Sequence, residues 1–96
     1  MKVTIYQEND PMFRVDDNKK TYEKEKYHKV YEYESVAVED SPEDFLETVF
    51  RLFNGPKPEG YNGHSLSVGD IVELDKSVYI CANCGWNKVE WVEKEL

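Results

Sequence analysis

Two cysteines three positions apart, Cys81 and Cys84, are the first residues in this chain that could do chemistry. Their C-x-x-C spacing is that of half a zinc site or of a dithiol redox pair. Structural zinc takes four ligands, and the chain adds only His28 and His64, neither at a spacing that ties it to the cysteines. A redox dithiol opens a helix, where the dipole lowers the thiol pKa, whereas Gly85-Trp86 and β-prone residues follow here. The plainer reading is a pair of reduced cysteines in a β-bend. No cofactor is expected, and a zinc or redox role stays as the alternative.

His64-Ser65 with Asp70 invites a catalytic-triad reading. Neighbours on an extended chain point to opposite faces, so His64 is badly placed to take the Ser65 proton, and no nucleophile elbow is present. Hydrogen bonding within a loop by His64, Ser65 and Ser67, with Gly69-Asp70 turning into the next strand, explains the same residues without catalysis. The expectation is no catalytic residue and no enzymatic activity.

Charge is the third signal. The formal net charge is −8, and Glu32, Glu34, Glu39, Asp40, Glu43, Asp44 and Glu47 fall in one stretch without Lys or Arg. Such a surface repels phosphate, which argues against direct nucleic-acid binding, and attracts a basic protein surface. Glu39, Asp40, Glu43, Asp44 and Glu47 are candidate partner-binding acids. They could also hold a hard metal, mimic DNA phosphates before a nuclease or a CRISPR effector, or simply favour a helix start. Tyr31, Tyr33 and Tyr61 are candidate aromatic contacts, with Tyr22 and Tyr27 in the same group, because Tyr offers area at low entropic cost. Tyr is equally an ordinary sheet residue.

The elements that must position these groups read as one α+β domain spanning residues 1–96. At 40% hydrophobic and 14% aromatic the chain can build a core, so global disorder is not expected. Val3 and Ile5, then Phe13 and Val15, alternate as half-buried strands with a turn at Asn9-Asp10-Pro11 between them. Residues 16–29 read as a solvated loop or marginal helix. The stretch from Val30 to Val38 is β-prone but slips phase, which a bulge near Glu34 would reconcile. Ser41 is an N-cap, Pro42 suits the first helical position, and Phe45, Leu46, Val49, Phe50 and Phe53 make one apolar stripe. This predicts a main amphipathic helix over about 42–53, stopped at Asn54-Gly55-Pro56 with Gly55 free to turn left-handed. Ile71–Leu74 and Val78–Ile80 predict two strands, and Val89 and Trp91 a last one. The expected fold is a small antiparallel sheet of about five strands under that helix.

From Phe53-Asn54 and Tyr61-Asn62-Gly63-His64-Ser65-Leu66-Ser67-Val68-Gly69-Asp70-Ile71-Val72-Glu73-Leu74 onward, the chain resembles the YodL-like domain family. Tyr79-Ile80, Gly85-Trp86, Val89 and the upstream Tyr31 fit the same pattern, so the resemblance covers roughly the last two thirds. Its core here is Gly63, His64, Ser65, Leu66, Ser67 and Asp70. The resemblance implies a compact α+β domain of low-GC Gram-positive bacteria, often carried on mobile elements, with no established enzymatic activity. Where the family tends to place an acid before the last bend, this chain has Ala82 between its two cysteines.

No apolar run approaches the roughly 20 residues of a membrane span, and the N-terminus has no signal-peptide core. A cytoplasmic address is expected. The residues and the resemblance together point to a non-enzymatic acidic protein-binding module, such as a mobile-element-encoded inhibitor of a host or defence protein. Two alternatives stay open: a DNA-mimicking anti-restriction or anti-CRISPR inhibitor, and a small zinc or redox protein.

Overall fold

The structure is a computed structural model, and it describes residues 1–10, 12–16, 18–36 and 41–92. Among these residues six strands and one α-helix follow in the order β1 (Lys2–Glu8), β2 (Thr21–Glu23), β3 (Tyr27–Glu34), α1 (Pro42–Leu52), β4 (Ile71–Leu74), β5 (Ser77–Ala82) and β6 (Gly85–Val92). They form one sheet in the order β2-β6-β5-β4-β1-β3. All pairings are antiparallel except β2 with β6, which run parallel. The sheet therefore has six strands, not about five, and it is mixed.

The sheet curls on itself. Its two edge strands, β2 and β3, are joined only by a single 3-10 turn, Lys24–Lys26, so the edges cannot stand a full sheet width apart. Tyr6 on β1 meets Trp91 on β6 with ring centroids 5.2 Å apart, although β4 and β5 lie between those strands. Tyr22 and Tyr27 close the seam at 6.4 Å. The concave face gathers Tyr6, Tyr22, Tyr27, Ile71, Val78, Ile80 and Val89, with Phe13, Val15 and Trp91 packed against them. Residues 16–29 are thus not simply a solvated loop: they supply β2, the turn and the start of β3. Tyr22 and Tyr27 are core residues because curling buries a strand that would be open in a flat sheet. Phe13 and Val15 form no strand; they lie half-buried under this cluster.

The convex face carries α1. Phe45, Leu46 and Val49 pack with Val3, Ile5, Val72 and Leu74, and Phe50 meets Trp86 edge-on. With the helix on one face and the curl on the other, central β1 is buried from Val3 to Gln7 rather than half-buried. Asp44 N donates to Ser41 Oγ at 3.2 Å, as the N-cap predicts. The C-terminus ends differently from the expected stop. Gly55 does not take a left-handed conformation; Phe53 N–H bonds back to Val49 O, and the Asn54 side chain donates to Phe50 O at 2.7 Å. The phase slip in β3 is also displaced. Register along β1 and β3 is regular from Glu34 to Tyr31 and shifts at Val30, which is the extra residue. The bulge turns both Val30 and Tyr31 toward the helix-side core, and Glu34 lies in regular pairing. Glu39, Asp40, Val38 and Pro11, all used in the sequence reading, lie outside the described residues.

Candidate functional site

The residues of the Gly63–Asp70 segment converge on one buried side chain that the sequence reading did not single out, Gln7. It shares the helix-side face with Val3 and Ile5 and is fully buried. Its amide clamps the loop: Oε1 accepts from His64 N–H at 3.2 Å, while Nε2 lies 2.9 Å from His64 O and 3.1 Å from Asp70 Oδ2. Nε2 also lies 3.2 Å from His64 Nδ1. The network itself decides the tautomer. His64 Nδ1 is 2.6 Å from Ser65 O, and a carbonyl oxygen can only accept, so Nδ1 carries the proton. The two hydrogens of Gln7 then go to His64 O and Asp70 Oδ2, so both polar atoms of the Gln7 amide are satisfied. A signal existed in the sequence: Val3, Ile5 and Gln7 continue one alternating face, and a polar residue on a core face needs partners.

Asp70 is the second anchor. Its Oδ2 also accepts from Ser67 N at 2.9 Å, and Asp70 N–H bonds to Ser67 O, closing a turn in which Gly69 has φ +101°. Burial pushes the Asp70 carboxyl up to about 6, against the bonds from Ser67 and Gln7 and the nearby His64. Tyr61 Oη donates to His64 O at 2.8 Å and Tyr27 Oη to Gly69 O at 3.3 Å, so β1, β3 and the loop are tied together. Gly63 is required by contact: a Cβ there would lie 2.3 Å from Gln7 Oε1 and 2.6 Å from Val30 Cγ1. Leu66 drops into the helix-side core. Ser65 Oγ is not bonded to His64; it accepts from Lys57 Nζ. The geometry is that of a pinned loop, with His64 serving the backbone and not a hydroxyl nucleophile.

Beside the pinned loop lies an aromatic surface. Tyr31 and Tyr33 on β3, Phe53 after α1 and Tyr61 on the loop form one ring cluster, with Phe53 and Tyr61 stacked at 5.4 Å and Tyr31 within 5.9 Å of Tyr33, Phe53 and Tyr61. Tyr31, Tyr33, Leu52, Phe53, Pro56 and Pro58 line an open groove of about 380 Å³, with Lys57 at its side. Leu52 is 58% exposed there, and Tyr31, Tyr33 and Tyr61 are half-buried. The structure thus brings Tyr31, Tyr33 and Tyr61 together and separates them from Tyr22 and Tyr27.

The acids are dispersed differently. Glu43, Asp44 and Glu47 are exposed on α1, two of them in its first turn. Cys81 is buried at the end of β5 and Cys84 exposed in the tight turn to β6, where Gly85 has φ +89°. Burial, with Asp70 and Glu47 nearby, pushes the Cys81 thiol up to about 11, the opposite of redox activation. Among the described residues no group of three or more His, Cys, Asp or Glu side chains is placed to hold a metal ion. No helix among them is long and apolar enough to cross a membrane.

A family model, the YodL-like domain, matches residues 3–91. The chain belongs to this family. The match reaches further than the last two thirds seen in the sequence motifs, and it takes in β1. A YodL-like domain here therefore includes Gln7 as well as the loop that Gln7 holds. No curated protein and no solved structure matches the chain.

Proposed function

We propose that this chain is a non-enzymatic protein-binding module that seats an extended, proline-containing, basic segment of a partner in the groove of Tyr31, Tyr33 and Leu52. The groove is the observation that carries this reading. Open surfaces built of aromatic rings and prolines receive extended segments because such segments are already stiff and lose little entropy on docking. An exposed Leu beside half-buried tyrosines supplies the apolar anchor that interfaces concentrate at their centre. The net charge of −8 and the exposed Glu43, Asp44 and Glu47 of the adjoining helix favour a basic partner and speed its approach. Lys57, the cation beside the groove, is engaged by Ser65 Oγ. An inhibitor acting on a host or defence protein would work through such a face without making or breaking bonds.

The test is an NMR titration with a basic, proline-rich peptide and a proline-free peptide of equal charge. Resonances of Tyr31, Tyr33 and Phe53 should move with the first, and Leu52→Glu should weaken binding by about tenfold or more while leaving the fold intact. Binding that survives Leu52→Glu but disappears when Glu43 and Glu47 become Lys would move the interface to the helix start and reject the groove. No movement of the groove resonances at any peptide concentration rejects it too.

A further inference from the structure

We infer that the Gly63–Asp70 loop is a proton-responsive clamp: uptake of one proton by buried Asp70 tightens the loop on β1, and loss of that proton loosens it. The inference concerns the loop itself and holds whatever occupies the neighbouring groove.

Asp70 is 3% exposed, and among the described residues its carboxylate faces no Lys or Arg. The titratable groups around it are His64 and Tyr61 from the loop, Tyr27 from β3 and Cys81 from β5. Glu8 beside Tyr27 and Glu47 beside Cys81 add only negative charge. Among the described residues His64 is the neighbour whose electrostatic pull lowers the carboxyl, and its Nε2 is the nitrogen the clamp leaves uncommitted. Gln7 from β1 and the Ser67 amide give the carboxylate two hydrogen bonds, fewer than a buried anion needs to replace its water. An ionised Asp70 is therefore held in the closed loop at a cost, and opening the loop returns it to water. Both bonds fall on Oδ2, so a proton on Oδ1 removes the charge without removing either acceptor contact. Burial pushing the carboxyl up to about 6 agrees with this.

Hydrogen exchange tests the clamp. Protection factors of the His64, Ser67, Gly69 and Asp70 amides should rise about tenfold from pH 7.5 to pH 5.0, after correction for intrinsic exchange. Asp70→Asn keeps the shape and the acceptor oxygen without the charge. It should show high protection that no longer changes with pH. His64→Gln should keep the sign of the effect and move its midpoint upward. A wild-type loop with flat protection over this range overturns the inference, as does an Asp70→Asn protein that keeps the full pH response. A carboxyl ¹³C titration of the wild-type chain gives an independent reading: Asp70 titrating together with Asp75 and the other exposed aspartates would overturn it without any variant.

Discussion

Gln7 Nε2 and Asp70 Oδ2 lie 3.1 Å apart although 63 residues separate them in the chain. That contact joins the first strand to the turn that launches β4, and the loop between is shaped around it. Since Gln7 bonds both His64 backbone groups as well, one side chain substitutes for the backbone partner a strand would have supplied.

Replacing Gln7 with Leu should therefore be costly despite the gain in hydrophobicity. The change leaves His64 N–H without its acceptor and takes one of two donors each from His64 O, which keeps Tyr61 Oη, and from Asp70, which keeps Ser67 N–H. An unsatisfied group costs about 1–3 kcal/mol before relaxation, and each lost bond adds to it. A net loss of about 3 kcal/mol in urea unfolding is expected. A variant as stable as the wild type would mean that water replaces the amide and the clamp is dispensable.

Stability should fall as pH rises across mild acidity. Asp70 has an ordinary value of 3.8, and burial raises it to about 6 in the folded chain. Between those values the native state binds more protons than the unfolded state, so the stabilisation is complete below the lower value and lost as pH climbs through the upper one. From pH 5 to pH 7 the loss should be about 1 kcal/mol. Glu32 works the other way. Against the desolvation that would raise it, Lys2 and Lys29 hold it below its ordinary 4.5, so its contribution is lost only in stronger acid. Thermal unfolding in a pH series, with Asp70→Asn as the control, checks the sign.

The two cysteines should differ sharply towards a thiol reagent. Cys84 is exposed in its turn, whereas Cys81 is buried with its thiol pushed up to about 11. At pH 8 one equivalent should react quickly in the native protein, and the second only on unfolding. Two fast equivalents, or a disulfide forming readily under mild oxidation, would restore the redox reading of the pair.

What the sequence determined by itself is local. The Ser41 cap, Pro42 and the Phe45–Leu46–Val49 stripe specified the helix because capping and periodicity act within a few residues. The β-bend that holds Cys84, and the strands Ile71–Leu74 and Val78–Ile80, were legible for the same reason. The family was legible too, since its motif is contiguous from Gly63 to Asp70. Tertiary structure alone decided the rest. The curl of the sheet turned Tyr22 and Tyr27 from surface candidates into core, a bulge at Val30 set which face Tyr31 and Tyr33 present, and Gln7 became the centre of the loop. Each of these depends on strands that meet across tens of residues, and side-chain burial is a property of what lies opposite, which no local pattern records.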